Sequence, residues 1–207
     1  MGEITKRPKP RIESLSDLIF GLALSIGAIS LISRVPATPF RMLIDIAEFG
    51  FSFLILISVW LGYTNIMSVL PIENSTALIL NLVLLFLVSI EPYLFYLNII
   101  FDLSAHAVLL DYASILYALD MTGLMFILAL FTQELAKEER GLIPKDSLAD
   151  YKRVRDGLFI SAFLFAITIL PIFWVFKLQD LPLRFYFWII PLAISSIRRV
   201  RGTLTSK

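Results

Sequence analysis

Six stretches of mainly apolar sequence, five of them close to the length that crosses a bilayer and the sixth shorter, recur along the 207-residue chain. A helix needs about 20 such residues to span the hydrocarbon core. The spans are expected at about 14–32, 46–70, 77–100, 112–133, 157–176 and 185–197. The runs are continuous rather than alternating every second residue, which excludes an outer-membrane barrel. With 58% hydrophobic residues, a soluble domain of this size cannot hide its apolar surface. The fold class expected is therefore all-α and integral to the membrane. It comprises a tail at 1–13, one six-helix transmembrane domain at 14–200 and a tail at 201–207.

Between the spans the polarity is uneven. A charged segment covers about 134–156, and a tight loop holds 177–184. Pro92, Pro171 and Pro191 fall inside the third, fifth and sixth spans. Lysine and arginine distribution sets orientation. With both termini cytoplasmic, fourteen of the 18 basic residues lie inside and four, Arg34, Arg41, Lys177 and Arg184, lie outside. That asymmetry supports six spans. The first apolar run is too long for a cleavable signal peptide and lacks a small-residue cleavage pattern.

Composition also narrows function. A net charge of +1 gives no basic field for nucleic acid. The absence of cysteine removes disulfides, thiolate metal sites and cysteine nucleophiles. The single histidine, His106, falls in an expected loop. No phosphate-binding loop, metal motif or nucleophile elbow occurs, so neither catalysis nor a cofactor is expected. LDMTGLMFILALF in the fourth span echoes SDLIFGLALSIGAI in the first, too faintly to make a repeat.

The polar residues at membrane depth carry the functional question. Ser14-Leu15-Ser16-Asp17 fits a capping box before the first apolar run. Alternatively, Arg11, Ser16 and Asp17 form a buried network with other helices. Trp60, Tyr63 and Asn65 of the second span and Asn81 of the third are then the candidate partners. Trp174 and Trp188, near the ends of their spans, read as interface-belt residues. Glu91 and Asp120 are intramembrane carboxylates, and such groups are functional candidates by default. They could serve a proton or ion pathway, or sit at a wet mouth or in a helix pair. Leu22, Ile26 and Ile29 fall at i, i+4 and i+7, so they share one helix face with Ser25 beside them. Such a face can meet lipid, another helix or a pore that closes by dewetting.

Arg11, three residues, then Leu15-Ser16-Asp17 and LIFGLALSIGAISL resemble the opening of the endolysosomal potassium channel family, transmembrane protein 175. That family opens its first helix with Arg, three residues and Phe-Ser-Asp. The Trp-containing run SFLILISVWLGY, the Asn-led run LNLVLLFLVSIEP and the prolines Pro171 and Pro191 are similar too. Leu15 stands where the family has Phe, Leu18 where Gly is common, and Tyr63 where many relatives have His. Leu22 stands where Ile is usual.

The resemblance implies a prokaryotic homotetramer around a central pore lined by the first helix, passing K+ in preference to Na+ without a TVGYG filter. It maps the constriction to Leu22, Ser25, Ile26 and Ile29. It maps a helix-tying network to Arg11, Ser16 and Asp17, to which Trp60 and Asn81 are expected to add. The expectation is thus a K+-permeable channel in the cell membrane of a prokaryote, with lipids and further copies of itself as partners. Two rivals stay open: a proton or proton-coupled pathway through the carboxylates, and a non-transporting scaffold.

Overall fold

A computed structural model describes residues 11–32, 35–70, 75–100, 107–138, 142–178 and 181–191. Five long helices dominate: α1 Arg11–Ile32, α2 Pro39–Met67, α3 Ser75–Ile100, α4 Ala107–Leu135 and α5 Leu148–Ile167. A 3-10 turn, Lys145–Ser147, leads into α5. After it come a one-turn helix, α6 Ile172–Val175, and a two-stranded antiparallel hairpin of β1 Lys177–Leu178 and β2 Leu181–Pro182. The last described helix, α7, covers 183–191. Among the described residues, α2, Thr76–Asn98 of α3 and Val108–Leu135 of α4 are long and apolar enough to cross a membrane by length and composition. In α1 the 18 residues 15–32 carry one charge, Asp17.

The helix ends follow local chemistry. Thr38 is extended, as a residue before proline prefers, and its hydroxyl accepts the Arg41 N–H at 3.1 Å. Pro39 then occupies the first turn, where a missing N–H costs nothing. Arg41, expected in the preceding loop, instead lies in this turn and pairs with Asp45 at 2.9 Å. Arg34 and His106 lie outside the described residues.

The fifth span differs most from expectation. Its helix starts at Leu148, inside the charged segment, and ends at Ile167, before Pro171. Hydropathy finds only the part of a helix that is in lipid, so a helix projecting into water reads as loop. At its end the Thr168 hydroxyl donates to the Phe165 carbonyl at 2.7 Å, and the chain turns through 168–171. The expected tight loop at 177–184 is the hairpin and the start of α7.

The core lies between α2, α3 and α4. Tyr117, Met121, Leu124, Leu128, Phe131 and Leu135 form one buried stripe of α4 at alternating steps of three and four. They meet Ile55, Leu56 and Val59 of α2 and Leu84, Leu85 and Val88 of α3 in one cluster. Helix α5 comes close to α4 through small residues, Gly157, Ser161 and Ala162. Trp188 is not a belt residue. It is buried, donates to the Thr168 hydroxyl at 3.1 Å and packs its ring on Tyr117. The turn before α7 folds the end of this span back into the bundle, so position along the chain misstated its depth. Trp174 is half-buried and donates to the Thr168 carbonyl at 3.0 Å.

Candidate functional site: the first helix and its supports

Helix α1 has two faces of different fate. Ser16, Phe20, Ala23 and Gly27 recur every three to four residues and are buried. The opposite stripe, Leu15, Leu18, Leu22, Ser25, Ile26 and Ile29, is exposed. Leu22, Ile26 and Ile29 are 58%, 44% and 59% exposed in the single subunit. The structure therefore gathers the four residues expected at the constriction onto one uncovered face. The Ser25 hydroxyl donates to the Gly21 carbonyl at 2.8 Å, one turn back. Its proton is spent within the helix, and its lone pairs remain available on the exposed side.

The buried face is held at two levels. At the start of α1, the Trp60 indole N–H donates to Asp17 Oδ1 at 3.1 Å, and the Tyr63 hydroxyl donates to Ser16 Oγ at 2.8 Å. The Phe20 ring packs on Tyr63 with centroids 5.7 Å apart. These pairs join the start of α1 to the end of α2, so the two helices run antiparallel. Farther along, Gly27 faces Phe49 of α2 and Pro92 of α3; a Cβ there would stand 3.5 Å from the Phe49 ring and 4.0 Å from Pro92. Glycine lets α1 lie close against both.

This geometry decides between the two readings of Ser14-x-x-Asp17. Helix α1 already includes Arg11, so Ser14 lies within the helix and not at its cap. Asp17 reaches across to α2 instead. Asn81 is fully buried and close enough to act on the Tyr63 hydroxyl, yet its amide completes no hydrogen bond among the described residues. Asn81 is a neighbour of the network rather than a bonded member of it. The Arg11 side chain lies outside the described residues. Asn65 takes no part: it is exposed, and its carbonyl accepts from Ser68 at 2.8 Å. Tyr63, one of the candidate partners named from the sequence, is the bonded partner of Ser16. Trp60→Phe keeps the packing and loses the bond to Asp17. It is expected to lower stability by about 1 kcal/mol, the scale of a hydrogen bond between membrane helices. A melting midpoint in detergent equal to wild type would mean that this bond carries no weight.

The two carboxylates lie in the interior, away from the exposed stripe of α1. Glu91 is fully buried and accepts the Ser52 hydroxyl at 3.2 and 3.3 Å. Asp120 is 3% exposed, and neither of its oxygens has a hydrogen-bond partner among the described residues. Neither carboxylate sits at a wet mouth. Among the described residues no group of three or more His, Cys, Asp or Glu could hold a metal ion.

A bundle of long apolar helices, with one helix leaving an apolar face uncovered, defines a multi-pass membrane protein. Residues 11–92 match the model of the endosomal/lysosomal potassium channel TMEM175 family. No curated protein matches the chain in sequence. Among solved structures, the fold is similar to a lysosomal potassium-selective channel TMEM175 homolog from Chamaesiphon minutus. The TM-score is 0.61 at 16% identity, over 91% of this chain and 96% of that one. It is also similar to a variant of the potassium channel MtTMEM175 in complex with a nanobody fusion protein. There the TM-score is 0.66 at 17% identity, over 100% of this chain and 98% of that one. Residues 11–92 thus match the model of that family, and the similarity of fold to its bacterial homologues extends over the rest of the chain.

Proposed function

We propose that the chain is a potassium-permeable cation channel, in which four copies surround a central pore lined by α1. Both termini would face the cytoplasm of a prokaryotic cell. One observation carries this reading: the stripe Leu22, Ser25, Ile26, Ile29 is uncovered on the helix whose other face is tied to α2 and α3. The family matched by residues 11–92 and both similar structures are potassium channels by description, which supports the same reading.

The conduit is passive and needs neither cofactor nor catalysis. Rings of Leu22, Ile26 and Ile29 narrow the path and exclude water when closed. Such rings offer few oxygens to a dehydrating ion. The Ser25 ring supplies them, because its hydroxyl protons are already committed to Gly21 carbonyls. Ser16 and Asp17, bonded by Tyr63 and Trp60 with Asn81 beside them, hold the base of the pore helix on α2, and Arg11 belongs to the same network.

The test is K+ flux in liposomes holding purified protein, wild type beside Leu22→Ala and Ile26→Asn. Both variants are expected to change flux size or K+/Na+ preference, Ile26→Asn more, because a polar side chain wets the constriction. Flux insensitive to both would move the pathway off α1. No flux from a folded wild-type preparation would favour a scaffold.

A further inference from the structure

The interior of the subunit holds a polar cluster that the pore does not use. Ser52 of α2, Glu91 of α3, and Tyr117 and Asp120 of α4 converge there. Tyr117 is 0% exposed, its hydroxyl has no hydrogen-bond partner among the described residues, and both carboxylates act on it. Both oxygens of Asp120 likewise lack a partner among the described residues. Aromatic rings close the cluster: Tyr117 packs on Phe95 at 5.8 Å and on Trp188 at 4.7 Å. Of helix α1, Gly27 lies beside Pro92, the residue after Glu91. From α2 and α3, Ser52 and Asp120's neighbour Glu91 face the cluster, and from α7 Trp188 does. Among the described residues no basic group acts on Glu91, Tyr117 or Asp120. Arg184 of α7 is taken by Asp111, at 2.9 Å.

We infer that Glu91, Asp120, Tyr117 and Ser52 form an intrasubunit binding site for one small, hard, singly charged cation. Two carboxylates without a positive partner are strongly disfavoured in a low-dielectric interior. Unpartnered buried polar atoms call for a ligand as well. The donor set is all oxygen, which suits hard cations rather than transition metals. With only two carboxylates, low charge fits better than high. The chemistry is shared by an alkali-metal ion and by a proton delivered as hydronium. The site lies behind the pore helix: Pro92, next to Glu91, packs on Gly27, whose neighbour Ile26 belongs to the uncovered stripe.

The inference does not depend on conduction, so its test reads stability. Purified protein in detergent is melted in KCl, NaCl and choline chloride at equal ionic strength and at several pH values, beside Asp120→Asn and Tyr117→Phe. With an alkali ion as ligand, wild type gains several degrees in KCl or NaCl over choline. The half-saturating concentration then rises about tenfold or more in the variants. With a proton as ligand, the three salts coincide, stability varies with pH, and Asp120→Asn flattens that variation. Wild type and both variants responding alike to salt and to pH overturns the proposal. Should Asp120→Asn fail to fold, Tyr117→Phe, which keeps the ring between Phe95 and Trp188, carries the same comparison.

Discussion

Asp111→Ala is expected to destabilise the protein by about 3 kcal/mol, because it strips the charge partner from a buried arginine. The Arg184 side chain is 1% exposed and that of Asp111 is 42%, with Nη1 donating to Oδ1 at 2.9 Å. The Arg184 Nε and Nη2 atoms already lack hydrogen-bond partners among the described residues. Without the carboxylate, what remains among the described residues to offset the desolvated guanidinium is the ring faces of Trp174 and Phe185, 6.0 and 5.4 Å away. Those rings and the partial solvation of Asp111 place the effect at the lower end of the range for breaking a buried pair. Arg184→Met fills a similar volume without charge and is expected to cost less, since replacing a buried ion is milder than orphaning one. Melting midpoints of the three proteins check this order. A midpoint for Asp111→Ala equal to wild type would show that the guanidinium finds another anion.

The Asp111–Arg184 pair also shows where sequence reading stops. The two residues are 73 positions apart, and hydropathy put one at the edge of a span and the other in a loop. Nothing local links them; they meet because α4 and α7 begin at the same end of the bundle. The stripe Leu22, Ile26, Ile29 was legible, because helical period alone decides which residues share a face. That the face is uncovered was not, since burial depends on where α2 and α3 dock. The capping-box pattern at Ser14 to Asp17 matched perfectly in composition, yet α1 already includes Arg11. A four-residue pattern cannot sense that the turn before it is helical. Likewise Lys152, Arg153 and Arg155 hid the first half of α5, because charge signals water and not loss of helix.

Phe20→Ala and Leu22→Ala, two positions apart in α1, are expected to separate stability from conduction. Phe20 is 1% exposed and wedged against Tyr63 between α1 and α2. Truncating it leaves a cavity, and in lipid the loss is of packing rather than of water transfer. The expected cost is about 3 kcal/mol, the lower end for a buried Phe. Leu22 points the other way and is 58% exposed, so its truncation is expected to change subunit stability by no more than about 0.5 kcal/mol. On the channel reading, however, four Leu22 side chains face one axis, and shortening all four widens the narrowest ring. Leu22→Ala should therefore melt like wild type and conduct differently. Phe20→Ala should melt early, and any loss of flux should track the loss of folded protein. Thermal melts and liposome flux on the same preparations decide it. If Leu22→Ala melts as early as Phe20→Ala and conducts as wild type does, the exposed stripe is a packing surface between copies, and the ion path lies elsewhere.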